Sequence, residues 1–220
     1  MAPKRTNTPK RKPKQNIMKR ISTTAIMLVA VALISTQCTD EKKEETPEVK
    51  STVAQFGGFD SRVKWGERLV TICGCNDCHT PKKMGANGPE NDMSLMLSGH
   101  PAQVPPANFD SKEAAKKGLI VTSTFTAWTG PWGTTYAANL TSDSTGIGSW
   151  KEEQFLKALH EKKWMGIEGT RPLMPPMSMM PATEMTDDEL KAIFAYLKTT
   201  PPVKNVIPEA VLLPPPPPAK

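Results

Sequence analysis

The chain of 220 residues contains the motif Cys75-Asn-Asp-Cys78-His79. This motif restricts the possible folds more strongly than any other part of the sequence. Cys-x-x-Cys-His is the attachment sequence for haem c. Two intervening residues let both thiols reach the two vinyl groups of one haem, and the adjacent histidine presents its imidazole to the iron. The sequence therefore predicts one covalent haem attached at Cys75 and Cys78, with His79 as the proximal ligand.

Other uses of this motif are less well supported by the surrounding sequence. A thioredoxin-like redox pair would lie between a strand and a helix, and no such alternation surrounds the motif. A zinc site would need a second pair of ligands, whereas His100 and His160 stand alone in the sequence. A Cys75–Cys78 disulfide is chemically allowed but leaves His79 without a role, so it remains the alternative for a haem-free protein.

The first 37 residues have the composition of an export signal. They contain eight basic and no acidic residues, and Met18-Lys-Arg20 precedes an apolar run at 21–34 that ends shortly before Cys38. This order is typical of a secretory signal, and the run is too short for a membrane span. Cys38 lies where a bacterial lipoprotein carries its lipidated first residue. We expect an exported lipoprotein anchored to the membrane and facing the periplasm or the cell surface, with an ordinary signal peptide as the alternative.

The net charge of the chain does not indicate a nucleic-acid partner. The formal charge of +6 would suit a nucleic-acid-binding protein. However, the residues after position 37 hold 20 basic and 22 acidic side chains, so the basic excess is confined to the leader. We therefore predict no binding to nucleic acid.

Composition divides the remaining chain into a tether, one domain and a tail. Residues 38–53 are highly charged and almost free of apolar side chains, so they cannot bury enough surface to fold. Five consecutive prolines near the end favour an extended and solvated segment. We assign 1–37 to a basic extension and signal peptide, 38–53 to a charged tether, 54–204 to the folded domain and 205–220 to a disordered tail.

Helical patterns lie on both sides of the predicted domain. Residues 60–74 start at an Asp or Ser cap, place apolar side chains on one side and end at Gly74. Thr186 and Glu189 form a capping box for a helix near the end of the domain, whose apolar residues recur at helical spacing. Ser149-Trp-Lys-Glu152 predicts a second capping box, and a short helix is predicted near 112–118. Cys73 has no predicted partner and is expected to be buried as a small apolar side chain.

A proline-rich loop at 171–181 offers the thioether ligand that haem electron carriers commonly use. The loop contains four methionines, Met174, Met177, Met179 and Met180. The residues alone do not choose among them. His100 is a further candidate for the sixth ligand, although a loop histidine bonded to the backbone is the favoured interpretation. Trp128, Trp132 and Tyr136 are candidates for the wall of a haem pocket, and Arg171 is a candidate partner for a haem propionate.

Six short segments carry a family resemblance: Trp65-Gly-Glu-Arg-Leu-Val70, Gly74-Cys-Asn-Asp-Cys-His-Thr-Pro81, Leu97-Ser-Gly-His-Pro101, Asn139-Leu-Thr141, Thr145-Gly-Ile-Gly-Ser-Trp150 and Met185-Thr-Asp-Asp-Glu-Leu-Lys-Ala-Ile-Phe-Ala-Tyr-Leu197. Together they resemble monohaem class I c-type cytochromes of bacteria, similar to those that serve membrane-linked dehydrogenases. The resemblance covers roughly residues 54–204. It implies an all-α class I cytochrome c fold, with four or five helices around one covalent haem c and long Gly/Pro-rich loops.

The resemblance also implies which methionine binds the iron. In that family the axial methionine commonly lies eight residues before the Met or Leu that precedes the capped helix, which is Met185 here, and this spacing falls on Met177. Ser178 stands where proline is usual, and Met180-Pro181 supplies a Met-Pro pair three residues later. Met177 is therefore the implied distal ligand, and Met180 is the alternative.

A haem with both axial positions filled passes single electrons and binds no substrate, so the resemblance implies an electron carrier rather than an enzyme, with no catalytic residues. The expected partners are redox proteins: a membrane dehydrogenase, a terminal oxidase or another cytochrome. Two alternatives remain. One is a catalytic or gas- or peroxide-binding haem protein with a labile sixth ligand, and the other is the haem-free lipoprotein with a Cys75–Cys78 disulfide.

Overall fold

The computed structural model describes residues 55–214. The predicted signal peptide, the tether and Cys38 lie outside the described residues. Within the described part, five α-helices and five short strands follow one another along the chain. The helices are α1 (Arg62–Ile72), α2 (Cys75–His79), α3 (Ser111–Lys117), α4 (Glu152–His160) and α5 (Asp187–Leu197). The strands are β1 (Lys82–Gly85), β2 (Gly88–Asn91), β3 (Ala127–Gly130), β4 (Gly133–Tyr136) and β5 (Val211–Leu212).

Helix α1 leads directly into the Cys-x-x-Cys-His motif. Its N-cap is Ser61, whose side chain accepts a hydrogen bond from the backbone N–H of Lys64 at 3.2 Å. The helix ends at Cys73, and Gly74 follows with a left-handed φ of +65° that side chains rarely adopt. This glycine turns the chain into α2, so the end of α1 fixes where the motif begins.

Helix α5 has the capping box that the sequence predicts. The hydroxyl of Thr186 accepts a hydrogen bond from the backbone N–H of Glu189, and the carboxylate of Glu189 accepts one from the backbone N–H of Thr186. The predicted apolar stripe of α5 is buried, and α1 packs across it. A Cβ atom on Gly66 of α1 would overlap the carbonyl oxygen of Ala192 in α5, so the backbones of the two helices are in contact.

Helix α4 begins differently from the prediction. Its N-cap is Lys151, which makes no side-chain capping bond, so the predicted Ser149–Glu152 capping box is wrong. Two acidic residues in the first turn, Glu152 and Glu153, interact favourably with the helix dipole instead. The helix packs on α5 through Phe155 and Phe194, whose ring centroids are 5.2 Å apart.

The prediction of an all-α domain is not confirmed, because the described residues form two sheets beside the helices. Strands β1 and β2 form an antiparallel hairpin, and β3, β4 and β5 form a three-stranded antiparallel sheet. The second sheet occupies a segment predicted as loop. Its Trp, Thr and Tyr residues favour extended backbone, and Gly133, with φ +111°, allows the tight turn between β3 and β4.

The predicted boundary at residue 204 is also wrong. Residues 205–213 are bonded to the domain, since Leu213 donates its backbone N–H to the carbonyl of Trp132 at 2.9 Å and β5 pairs with β4. The Asn205 side chain donates to the carbonyls of Ser98 and His100, both at 2.8 Å. This segment contains apolar residues that can pack against the domain. The prediction of a disordered tail rested only on the prolines that follow them. Residues 215–220 lie outside the described residues.

The core lies where α1, α4 and α5 meet the segment around Leu97 and the loop around Ile147. Its best buried residues are Leu69, Val70, Leu97, Ile147, Phe155, Leu190, Ala192, Ile193 and Leu197. Several partly buried apolar residues extend this cluster, including Met177 and Met180. None of the helices within residues 55–214 has the length and hydropathy needed to span a membrane.

Candidate haem site

A cavity of about 330 Å³ opens beside α2. Its wall includes Cys78 and His79 of α2, parts of β3 and β4, residues of α4, the methionine loop and two residues that follow α5. Most of the side chains in this wall are apolar or aromatic. A concave and mostly apolar pocket with a few convergent polar groups is typical of a cofactor site.

His79 presents an oriented and neutral imidazole to this cavity. The residue is 5% exposed, and its Nδ1 donates to the carbonyl oxygen of Ala138 at 2.7 Å. Because a carbonyl oxygen can only accept, Nδ1 carries the proton and Nε2 keeps its lone pair. Burial lowers the pKa of His79 below its ordinary value, so the ring is uncharged at neutral pH.

The backbone around His79 is fixed by a second chain segment. The carbonyl of His79 accepts a hydrogen bond from the backbone N–H of Gly99 at 2.7 Å, and the backbone N–H of His100 donates to Ala137 at 3.0 Å. Gly99 has a φ of +78°, and a Cβ there would lie 2.6 Å from the carbonyl oxygen of Ala138. Only glycine fits this contact, which holds the acceptor of the His79 hydrogen bond in place.

The two motif cysteines occupy different surroundings. Within the described part of the chain both are free thiols. Cys78 lines the cavity, whereas Cys75 packs against the hydrophobic core. Burial raises the pKa of the Cys75 thiol to about 12 and also raises the pKa of the Cys78 thiol. The expectation that Cys73 is buried is wrong, because its side chain is exposed at the end of α1.

The four loop methionines separate into two groups. Met174 and Met177 line the cavity. Met180 is packed against the hydrophobic core, and Met179 is 72% exposed. Among the residues described, the structure therefore brings Met174 and Met177, but not Met179 or Met180, to the cavity that His79 lines.

His100 is occupied elsewhere. It is fully buried, with its Nδ1 at 2.9 Å from the hydroxyl of Thr126 and its Nε2 at 2.7 Å from the carbonyl of Val104. Because both ring nitrogens have partners, the interpretation of His100 as a backbone-bonded loop histidine is confirmed.

Aromatic residues form much of the cavity wall. Trp128 and Tyr136 line it as expected. The indole of Trp132 instead donates to the hydroxyl of Thr135 at 3.3 Å. The Arg171 guanidinium lies 4.0 Å above the ring of Trp164, and both residues line the cavity. Burial lowers the pKa of Arg171, which nevertheless remains charged at neutral pH.

Several residues of the site were not predicted from the sequence. The acceptor for His79 is a backbone carbonyl 59 positions further along the chain, and a backbone group leaves no residue-type signal. Val206 and Ile207 line the cavity from the segment that was predicted to be a disordered tail. The sequence feature that could have predicted this packing is their apolar character, a few residues after the Pro201-Pro202 pair that ends the helix.

The residues of the cavity fit a covalently attached haem. A thiol in the wall (Cys78) with a second on the same short helix (Cys75), a neutral imidazole with an available lone pair and a thioether are the groups that attach and ligate haem c. The apolar wall suits the faces of a porphyrin, and Arg171 supplies a cation for a carboxylate.

This arrangement is that of a c-type haem protein. A sequence model of the family described as cytochrome c matches residues 63–201, and the chain therefore belongs to the cytochrome c family. Its cofactor is covalently attached haem c, and its general activity is haem-based electron transfer. The family implies the class I cytochrome c fold, and the described residues also contain two small sheets. No curated protein matches the chain.

Proposed function

We propose that this protein is a membrane-anchored c-type cytochrome that faces the periplasm and passes single electrons between respiratory redox partners. The observation that carries the proposal is that His79 and Met177 line one apolar cavity, with the imidazole neutral and oriented by Ala138. These two residues are the proposed axial ligands, and Cys75 and Cys78 are the proposed attachment points.

Two observations favour Met177 over the other methionines. Met179 and Met180 lie outside the cavity wall that the described residues form, so either would require the loop to move before it could bind. Between the remaining two, the family spacing to Met185 favours Met177 over Met174.

The protein's residues would tune the electron transfer that the haem supplies. A thioether ligand favours the reduced iron and raises the reduction potential, whereas the His79–Ala138 hydrogen bond increases the basicity of the imidazole. The aromatic wall would limit the access of water to the haem, which would disfavour the more highly charged oxidised state. With His79 and Met177 both bound to it, the iron would offer no free site to a substrate.

Membrane anchoring would place this carrier beside its partners. The proposal that Cys38 is lipidated is supported by its position after an export signal and before a charged tether at 39–53. Redox partners of such carriers bind through small and transient contacts. A membrane dehydrogenase as donor and a terminal oxidase or another cytochrome as acceptor would fit this location.

A potentiometric titration of the purified haem protein tests the electron-carrier function. We expect a reversible transition with the slope of one electron, and no change in the ferrous spectrum when carbon monoxide is added. Rapid carbon monoxide binding would instead indicate a labile sixth ligand and a catalytic or gas-binding role. Reduction by candidate membrane dehydrogenases and oxidation by terminal oxidases would then identify the partners.

A fractionation experiment tests the anchor. We expect wild-type protein in the membrane fraction and Cys38→Ser in the soluble exported fraction. Cys73→Ser is the matched control, because it makes the same substitution at another cysteine, an exposed free thiol, and leaves the proposed lipid site intact. Equal distribution of all three proteins would contradict the lipoprotein proposal.

A further inference from the structure

The loop that carries Met177 has little regular structure of its own. Around Met177, the backbone hydrogen bonds within the loop are confined to one short turn: Ser178 N–H bonds to Met174 at 3.2 Å, Met179 N–H to Pro176 at 3.0 Å and Met180 N–H to Met177 at 3.2 Å. Pro175 and Pro176 precede the turn and have no N–H to donate. The conformation of this loop must therefore depend on contacts from other parts of the chain.

The first such contact comes from Lys162, just after α4. Its Nζ donates to the carbonyl oxygen of Ser178 at 2.7 Å, in a partly buried position. Lys162 forms no ion pair with the described residues, whereas the neighbouring Lys163 lies 3.3 Å from the carboxylate of Glu168. The Lys162 side chain is thus directed at the loop, and its backbone carbonyl also accepts the N–H of Leu173 at 2.6 Å.

The second contact comes from Thr135 in β4. Its hydroxyl donates to the carbonyl oxygen of Pro175 at 2.9 Å and accepts the indole N–H of Trp132 at 3.3 Å. Thr135 is 7% exposed and lines the haem cavity. This hydroxyl is therefore held in one orientation from both sides.

These two contacts bracket Met177. One fixes the carbonyl two residues before the methionine, and the other fixes the carbonyl one residue after it. They come from separate elements, the strand β4 and the turn after α4. A displacement of the loop backbone around Met177 away from the cavity would break at least one of them.

We propose that Thr135 and Lys162 are positioning residues that clamp the Met177 loop and so set how firmly the thioether holds the sixth position of the haem iron. This inference rests on the proposed role of Met177. Neither residue touches the iron. Their effect is on the equilibrium between the ligated loop and a displaced one, in which an added ligand can enter.

Imidazole binding to the ferric holoprotein tests the proposal. Added imidazole competes with the methionine, so its apparent affinity rises when the ligated loop is destabilised. We expect about tenfold tighter binding in Lys162→Met, because a charge-assisted bond is lost, and about fivefold in Thr135→Val. The charge-transfer band between the thioether and the ferric iron should weaken in parallel.

Conservative variants and neighbours supply the controls. Lys162→Arg and Thr135→Ser keep the donors and should bind imidazole within about twofold of wild type, as expected if the hydrogen bond is what matters. Lys163→Met removes the adjacent lysine, and Thr129→Val removes a buried hydroxyl of the same sheet whose side-chain partner within residues 55–214 is Thr134 at 2.9 Å. Both controls should behave like wild type.

Hydrogen exchange separates this proposal from the ligand assignment. The amides of residues 178–180 should exchange faster in both clamp variants, whichever methionine binds the iron. If Met177→Ala keeps the thioether band, the ligand assignment fails, while faster loop exchange still reports a clamp on the loop. If Lys162→Met and Thr135→Val match Lys163→Met in imidazole affinity, the proposal is overturned. If Thr135→Val does not retain haem, the imidazole affinity of Lys162→Met alone tests the proposal. Lys162 is only partly buried and does not line the cavity, so we expect this variant to keep its haem.

Discussion

Gly66 allows α1 and α5 to approach closely because it has no side chain. A Cβ atom there would overlap the carbonyl oxygen of Ala192 and lie 2.9 Å from the Cβ of Tyr196. Neither atom can rotate away, because both are attached directly to the backbone of α5. The helix pair that carries the core therefore depends on glycine at this position.

We expect Gly66→Ala to lower the free energy of unfolding of the holoprotein by about 1–3 kcal/mol, because the two helices must separate. Denaturant unfolding followed by circular dichroism measures this change. Arg68→Ala, on the exposed side of α1, is the control and should change stability little. If Gly66→Ala were as stable as that control, the close contact of α1 and α5 would be refuted.

His100 makes stability depend on pH. Burial lowers its pKa below the ordinary value of 6.5, so between that value and the lower folded pKa the unfolded chain takes up a proton that the native state does not. Stability therefore falls as the pH falls through this window.

The variant His100→Gln removes this titrating group. We expect its free energy of unfolding to decline less than that of wild type between pH 7 and pH 5, although its stability at pH 7 is lower. Denaturant titrations of both proteins at the two pH values give the comparison. Equal declines would show that His100 does not contribute to acid destabilisation.

The segment after α5, residues 203–207, is a structural part of the candidate haem site. The amide of Asn139 donates to the carbonyls of Val203 at 2.8 Å and Asn205 at 3.4 Å, while Asn205 binds the carbonyls of Ser98 and His100. Val206 and Ile207 then line the cavity. These residues follow the part of the chain that the family model matches, which ends at residue 201.

A pair of truncations tests the role of this segment. Removing residues 205–220 should expose the haem to water and lower the reduction potential, because water stabilises the charged oxidised state. Removing only residues 215–220 leaves the cavity wall intact and should leave the potential unchanged. Potentiometric titration of both proteins provides the comparison, and identical potentials would show that the segment does not shield the haem.

Helices were easier to predict than strands because their signals are local. The capping box at Thr186 and Glu189 and the apolar spacing of α5 lie within 12 positions, and the structure confirms both. The sheet of β3, β4 and β5 depends on pairing between residues as distant as Thr134 and Val211, which no local pattern reports. The prediction of a capping box at Ser149 is wrong because the helix begins two residues later, with Lys151 as its N-cap, so the local pattern did not locate the helix start.

The domain formed by residues 55–214 has a modest core that borders the cavity. The cavity is walled by the residues that face the core, including Ile147, Phe155 and Leu159. Haem would therefore fill a space between elements that otherwise pack incompletely, and this favours folding that is coupled to haem attachment.

The Cys75→Ala/Cys78→Ala double variant should therefore be poorly folded, with low helical circular dichroism and no cooperative thermal transition. The control is Cys73→Ala, which removes an exposed thiol and should retain the haem and a cooperative melt. A sharp transition of the double variant at the wild-type temperature would show that the polypeptide folds independently of haem.

The sequence predicts the haem c cofactor, which the family match supports, because the Cys75–His79 motif requires adjacent residues. For the proposed distal ligand, residue type alone leaves four neighbouring methionines as candidates, since choosing among them requires the loop conformation. Thr135 and Lys162, which fix that conformation, act on backbone carbonyls and leave no pattern in the sequence.

The ferric absorption spectrum of the Met177→Ala holoprotein, recorded beside that of Met180→Ala, is the decisive test of the two proposed axial ligands. We predict a low-spin spectrum with a thioether–iron charge-transfer band in wild type and in Met180→Ala, and loss of that band in Met177→Ala. A band that survives in Met177→Ala and disappears in Met180→Ala would contradict the assignment of His79 and Met177 as the two axial ligands.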